Sequence, residues 1–362
     1  MMVGPAMFLF ALLACLPVSL EHHLEWPARD RQVVLNRLRG GSTTEGKLYV
    51  FGGFSMKSLY TDTVESINLS QKDRWYWKRK PYMKVAKASL CAVALKGKIY
   101  LVGGQDSRYF AVQRRLSQMT DKNETVGPHD VNWPTLDIME VFDPKQDSNS
   151  CWTFAPPMFE RRVSFSAAAL AGRLWVCGGY NGERVVSSLE SFDPQDSHWT
   201  TEADLPRPRF GIALAASTAE GLSLYAIGGS NGEYVSKAVD IFDVKTRKWR
   251  MGPDMLTARS SCAAVEIKGK IYVMGGLGEE GCLNSMEVLD LKTEKWERCL
   301  GDGMQSKRSA FGAVAYEGRI FVVGGCDGEK MLDTAEVYDD KEGWADMPKL
   351  KVPRGALGVA LL

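Results

Sequence analysis

The chain has 362 residues, 45% hydrophobic and 25% charged, which is enough apolar material for a large core and too little charge bias for a disordered chain. A formal net charge of +1 excludes any overall pull toward nucleic acid or an anionic membrane, so a charged binding surface must be local. The eight cysteines (15, 91, 151, 177, 262, 282, 299 and 326) include no CxxC pair and no histidine at zinc-site spacing, so no metal centre and no cofactor are expected.

In chain order, the first 44 residues form an N-terminal segment containing the apolar run MFLFALLACLPVSL, Met7 to Leu20. That run resembles the hydrophobic part of a secretory signal and is too short to span a bilayer as a helix, so stable membrane insertion is not expected. No lysine or arginine precedes it and no A-x-A-like site follows. Cys91, Cys177 and Cys262 lie inside apolar strand-like runs and read as small buried thiols, which suits a reducing, cytoplasmic location. Secretion, from the Met7 to Leu20 stretch, is the alternative.

From residue 45 to residue 362 one pattern repeats. Apolar strands ending in a glycine pair place the first glycine at 52, 103, 178, 228, 275 and 324, with separations of 51, 75, 50, 47 and 49 residues. A period near 50 marks a propeller-type array in which each unit is one small sheet. Each unit carries a basic residue, a run of small residues, the strand ending in Gly-Gly, a turn, a strand with an acidic residue, and a tryptophan. Strands of one sheet need tight turns, where glycine permits positive φ and close backbone approach. The small-residue runs, such as SAFGAVAY and SSCAAVEI, suit strands crowded about a narrow axis. The tryptophans at 152, 199, 249, 296 and 344, with Trp75 or Trp77 in the first unit, read as wedges between outer strands.

The basic residue stands 16 positions before the first glycine in four units: Lys87, Arg162, Arg259 and Arg308. Arg209 stands 19 before Gly228, with about three extra residues near Thr218 to Gly221. Counting 16 back from Gly52 reaches Asn36 and the polar, glycine-rich RLRGGSTT, which is unfit for an inner strand. The C-terminal RGALGVALL, opened by Arg354, is therefore expected to complete the first unit and remove the unpaired edge. One segment breaks the array: residues 105–136 replace a short turn in the second unit. Its RYFAVQRRLSQM portion has the pattern of a short amphipathic helix, and its charged, proline-containing second half has the composition of disorder.

The signature of basic residue, small apolar strand, Gly-Gly, acid and tryptophan resembles the Kelch repeat, over essentially Glu45 to Leu362. The resemblance implies an all-β, six-bladed β-propeller of four-stranded blades about a channel. It is most similar to the propellers of the Kelch-like family, whose longer members place BTB and BACK domains ahead of the propeller. The 44 residues preceding the array here are expected to hold neither.

Catalysis finds little support, and no catalytic residue is expected. The four histidines (22, 23, 129 and 198) avoid the repeat positions facing the axis. The acids Glu65, Glu140, Glu190, Asp240, Glu287 and Glu336 recur once per unit and read as structural, bonding a neighbouring blade's backbone or arginine. Aspartates 143, 193, 243, 290 and 339 read as Asx turns. A secreted sugar-modifying enzyme of the Kelch sialic-acid mutarotase type is the alternative function. The expected function is a protein-interaction module, with the resemblance implying a role as substrate adaptor of a cullin-type ubiquitin ligase. In Kelch-like propellers the loops opening the inner strands and those after Gly-Gly share the partner-receiving face. Carried over by position, the candidate partner-binding residues are Arg162, Tyr180, Asn181, Arg209, Asn231, Arg259, Ser260, Arg308, Ser309 and Arg354. Clustered guanidinium groups there would suit an acidic or phosphorylated peptide.

Overall fold

The computed structural model describes residues 46–71, 75–106, 135–299 and 303–362. The hydrophobic stretch at 7–20, the rest of the N-terminal segment and the insertion from 107 to 134 lie outside them.

Among the described residues every regular element is a strand, and the longer strands form six four-stranded antiparallel sheets. Blade two runs outward from the axis as Cys91–Leu95, Lys98–Val102, Met139–Phe142 and Trp152–Ala155. Blade three is Ser166–Leu170, Arg173–Cys177, Leu189–Asp193 and His198–Thr201, and blade four Ala213–Ser217, Ser223–Ile227, Val239–Asp243 and Lys248–Met251. Blade five is Ala263–Ile267, Lys270–Met274, Met286–Asp290 and Lys295–Arg298. Blade six is Gly312–Tyr316, Arg319–Val323, Ala335–Asp339 and Gly343–Met347. Blade one takes its inner strand, Gly358–Leu361, from the C-terminus and adds Lys47–Phe51, Val64–Asn68 and Lys78–Lys80. The register Leu48↔Leu361 to Phe51↔Gly358 closes the ring where the sequence places the missing strand. Neighbouring inner strands touch all the way round, so no inner edge is left open.

Period-two alternation sorts each strand's side chains between the two seams it borders. The core is accordingly a set of interblade layers, for example Ile227, Val239 and Ile241 of blade four against Ile271, Val273 and Leu289 of blade five. The tryptophans fill the wide outer part of the seams. Phe142 and Trp152 have ring centroids 4.8 Å apart, and Phe192 and Trp199 are 5.2 Å apart. Their indole N–H groups donate to carbonyls in the loop leaving the preceding blade: Trp199 to Pro156 (2.9 Å), Trp296 to Pro253 (2.8 Å) and Trp77 to Pro348 (2.8 Å). Trp77 is therefore the first unit's repeat tryptophan, while Trp75 donates to Leu69 nearby.

The glycine pair is a docking point between blades. At blade five, a Cβ on Gly275 would stand 2.7 Å from the Arg308 carbonyl oxygen of blade six, and one on Gly276 would stand 2.6 Å from that of Ser260. Both have positive φ, 56° and 95°. In all six units the second glycine's N–H donates to the carbonyl of the next blade's basic residue, from Gly53 to Lys87 (2.9 Å) through Gly325 to Arg354 (2.9 Å).

Candidate partner-binding face

Residues following the basic position pair with residues following Gly-Gly, as in Val163↔Tyr180, Phe210↔Ser230, Ser260↔Leu277 and Ser309↔Cys326. This ladder brings the loops that open the inner strands and the loops after the glycines to one face. Residues two beyond each basic position line the channel mouth there in left-handed conformation: Ser89, Ser164, Gly211, Ser261, Ala310 and Ala356. Five seams carry a backbone hydrogen bond between them, including Ser261 N–H to Gly211 O at 2.7 Å and Ala356 N–H to Ala310 O at 2.7 Å. Those bonds hold a conformation that side-chain-bearing residues otherwise avoid.

The six basic side chains do not reach the face. Arg162, Arg259, Arg308, Arg354 and Lys87 have no exposed area, and Arg209 almost none. Arg259 donates to the carbonyls of Gly275 (2.9 Å) and Ser285 (3.0 Å), to the Ser285 hydroxyl (3.0 Å) and to the Glu287 carboxylate (2.7 Å). Arg308 and Glu336, Arg354 and Glu65, and Arg162 and Glu190 repeat that arrangement. Lys87 faces Glu140 at 3.0 Å, and Arg209 faces Asp240. Each acid belongs to the same blade as its arginine, which corrects the expectation that it bonds a neighbouring blade's arginine. The expected cluster of guanidinium groups for an acidic peptide is corrected because a buried charge needs a counter-charge, and each blade supplies one internally, together with carbonyl acceptors for the guanidinium Nη groups. Burial pulls Lys87, Arg209 and Arg354 below their ordinary pKa values, opposed by the attached acid.

The acid also works outward. Glu287 accepts the backbone N–H groups of Leu256 (2.7 Å) and Thr257 (3.1 Å), two consecutive residues of the loop entering blade five. Glu190 accepts those of Phe159 (2.8 Å) and Glu160 (3.2 Å), Glu336 those of Gln305 and Ser306, and Glu140 those of Lys84 and Val85. Blade four departs for a covalent reason. Pro206 stands at the first of these two positions and has no N–H. The shorter Asp240 replaces glutamate, and the Arg207 guanidinium donates to it at 2.8 Å.

Each buried pair therefore fixes a loop whose next side chain faces solvent. Of the nine large apolar side chains exposed among the described residues, six lie in loops of this face: Met56, Leu59, Tyr82, Phe159, Tyr234 and Leu256. Phe159 is 63% exposed and Tyr234 58%. The sequence reading missed them, although large apolar residues in proline-rich loops (PYM, PPMF) were a usable signal.

The remaining candidates lie in these loops with different parts. Tyr180 is half-buried and donates its hydroxyl to Gly182 O at 2.9 Å. Asn181 and Asn231 each accept two loop N–H groups on Oδ1, shaping the turns at Glu183–Arg184 and Glu233–Tyr234. Ser260 and Ser309 are buried in the ladder. Asp143, Asp193, Asp243, Asp290 and Asp339 all accept N–H groups two residues on, as Asx turns at the opposite ends of the blades.

A cavity of 330 Å³ between blades five and six has as its ionisable lining the paired Arg259 and Glu287, Arg298, and Cys299, whose thiol burial pushes up to about 11. Among the described residues, no three His, Cys, Asp or Glu side chains gather as a metal site, and no helix is long and apolar enough to cross a membrane.

Comparison with known proteins agrees with this architecture. The family model described as "FKB95, Kelch-repeats domain" matches residues 206–351, and the "Kelch motif" model matches 37–83 and 161–206. Similar proteins include Spermatocyte protein spe-26 of Caenorhabditis elegans, 26% identical over 48% of this chain and 26% of the relative. Kelch-like protein 23 of Homo sapiens is 26% identical over 50% of this chain and 28% of the relative. Kelch repeat and BTB domain-containing protein 12 of Danio rerio is 27% identical over 48% and 27%. The matched stretch thus spans only about a quarter of each relative. Repeat signature, six closed blades and family matches converge: the chain is a Kelch-repeat protein whose propeller resembles the Kelch domains of BTB-Kelch proteins.

Proposed function

We propose that the loop face is a protein-recognition surface built around exposed apolar anchors, with Phe159, Leu256, Tyr82 and Tyr234 as principal contacts. One observation carries this reading: two-thirds of the exposed large apolar side chains among the described residues sit on one face, three of them, Tyr82, Phe159 and Leu256, on loops whose backbone N–H groups end on buried carboxylates. Aromatic side chains held in advance lose little freedom on binding and are the usual hot spots of interfaces. Tyr180, Asn181 and Asn231 serve on the same face by shaping the loops. The arginines serve beneath it. An acidic segment draws no support from the six basic side chains, because none of them is accessible.

The finer role, presentation of a bound protein to a cullin-type ubiquitin ligase, follows from the likeness to Kelch-like proteins and needs a BTB-bearing subunit or segment to make the connection. The test is quantitative cross-linking and mass spectrometry of the tagged full chain in cells. The triple variant Tyr82→Ala, Phe159→Ala, Tyr234→Ala is compared with an opposite-face control, Lys245→Ala, Lys292→Ala. Selective loss of partners in the first is expected, with cullin among the recovered proteins if the adaptor role holds. Equal recovery from both variants overturns the reading.

A further inference from the structure

From the charge pattern of blades four and five, resting on the loop-face reading above, we infer that this sector of the face takes a partner segment in which a large apolar side chain is flanked by lysine or arginine.

The inference starts from repeat positions. The fourth residue after the glycine pair is Glu183 in blade three, Glu233 in blade four, Glu280 in blade five and Glu329 in blade six. In blade three that acid is neutralised: Arg161, just before the buried Arg162, meets Glu183 at 2.7 Å. Blade six keeps a cation at the matching position, Lys307. Blade four has Pro208 there and blade five has Ala258, so neither supplies a counter-charge to Glu233 or Glu280. Blade five adds Glu279, and all three carboxylates are exposed. Asp254 of the intervening loop adds a fourth exposed acid, whose one cation, Lys237, is 3.9 Å away with both side chains more than half exposed. An exposed pair at that distance is weakly held and freely exchanged for another cation.

The sector also carries two exposed apolar side chains. Tyr234 occupies the place taken by Arg184 in blade three and Lys330 in blade six, and is largely exposed. Leu256, 49% exposed, is presented by the bonds from its own N–H and that of Thr257 to Glu287. Thus blades four and five lack the cations that blades three and six keep as Arg161, Arg184, Lys307 and Lys330, and blade four puts Tyr234 in the place of one of them. Charge complementarity selects a basic segment and the flanking cations repel it at both borders, which confines it to this sector.

The probe is a phage-displayed library of random dodecapeptides panned against the full chain at about 50 mM salt, where exposed charges are least screened. The expected winners carry one large apolar residue bracketed by Lys or Arg. Their affinity should fall about tenfold for the Glu233→Gln, Glu279→Gln, Glu280→Gln variant and again at 300 mM salt, with the two steps not additive. The opposite-face control Glu220→Gln, Glu342→Gln should leave affinity unchanged. These exposed substitutions are expected to leave the thermal melt in place, which confirms that the variants are folded. Winners that are acidic or neutral, or that bind the triple variant as well as wild type, overturn the basic-segment inference. The loop-face reading then stands if Tyr82→Ala, Phe159→Ala, Tyr234→Ala abolishes their binding. Winners insensitive to all these variants, or no enrichment at all, overturn both.

Discussion

At each of the five arginines at the repeat's basic position, one side chain closes a hydrogen-bond circuit inside its own blade, while its carbonyl oxygen receives the glycine N–H of the blade before. Truncating Arg308 leaves the Glu336 carboxylate and the Gly324 and Thr334 carbonyls without its donors. Loss of one member of a buried pair typically costs 3–5 kcal/mol, a large share of the roughly 5–15 kcal/mol of a whole domain. Arg308→Met is therefore expected to lower the denaturation midpoint sharply and to abolish partner binding only through unfolding. A folded Arg308→Met protein of wild-type stability would remove the circuit from the account. Lys87 is the informative exception, because an ammonium group lacks the fork that reaches two carbonyls and a carboxylate together. Lys87→Arg should place donors near the carbonyls of Gly103 and Ile138 and stabilise by about 1 kcal/mol. Burial holds the Lys87 pKa below its ordinary value of 10.5, so between the two values the unfolded chain binds more protons. Wild-type stability then rises with pH in that window, and the advantage of Lys87→Arg should narrow as the pH rises toward the ordinary lysine value in chemical denaturation. Burial also pushes the thiols of Cys177 to about 12 and Cys262 to about 11. Both should resist alkylation at neutral pH and react on denaturation; fast native labelling of either would contradict their placement.

Among the elements, the loops entering the inner strands behave unlike ordinary surface connections, because their backbone N–H groups end on buried carboxylates. Amide exchange at Phe159, Glu160, Leu256, Thr257, Gln305 and Ser306 is expected to be slow, approaching that of the flanking strands, although these residues belong to no strand. Glu287→Gln should speed exchange at Leu256 and Thr257 first; fast exchange there in the wild type would show that the carboxylate does not hold the loop. The strands themselves were legible in the sequence, since positive φ at the glycine pair and the volume of the tryptophan wedge admit few substitutes at fixed positions. The direction of the basic residue was not legible from its own spacing, because a conserved-looking cation before a strand suits a surface and a buried pair equally. The signal lay in the partner. Arg162 and Glu190, Arg259 and Glu287, and Arg308 and Glu336 are each 28 residues apart, one cation and one anion to a blade. The displaced spacing of Arg209 has a local cause in the longer hairpin between Ser217 and Ser223, and the longer Lys87 to Glu140 separation spans the insertion.

For the whole molecule, circular closure makes six weak seams cooperative, and the seam between blades six and one depends on the strand that completes blade one. Residues 354–362 supply that inner strand, the Arg354 partner of Glu65, and the carbonyl that receives the Gly325 N–H at 2.9 Å. They also supply the Phe54 and Gly355 ladder pair and the Ala356 N–H bond to Ala310 at the channel mouth. Deleting them opens an unpaired edge along Lys47–Phe51 and uncovers Leu48 and Val50. It also strands Glu65 in a blade interior, a cost of several kcal/mol before any hydrophobic loss is counted. The truncated chain is expected to lose its cooperative melt or to self-associate through the open edge. Arg354→Met in the full chain separates the charge from the strand: it should lower stability while preserving a single transition. A peptide of residues 354–362 added in excess should restore part of the truncated protein's transition, since it rebuilds the ladder in trans. A truncated chain that melts at the wild-type temperature with the wild-type denaturant slope would mean that the ring does not depend on this strand for closure.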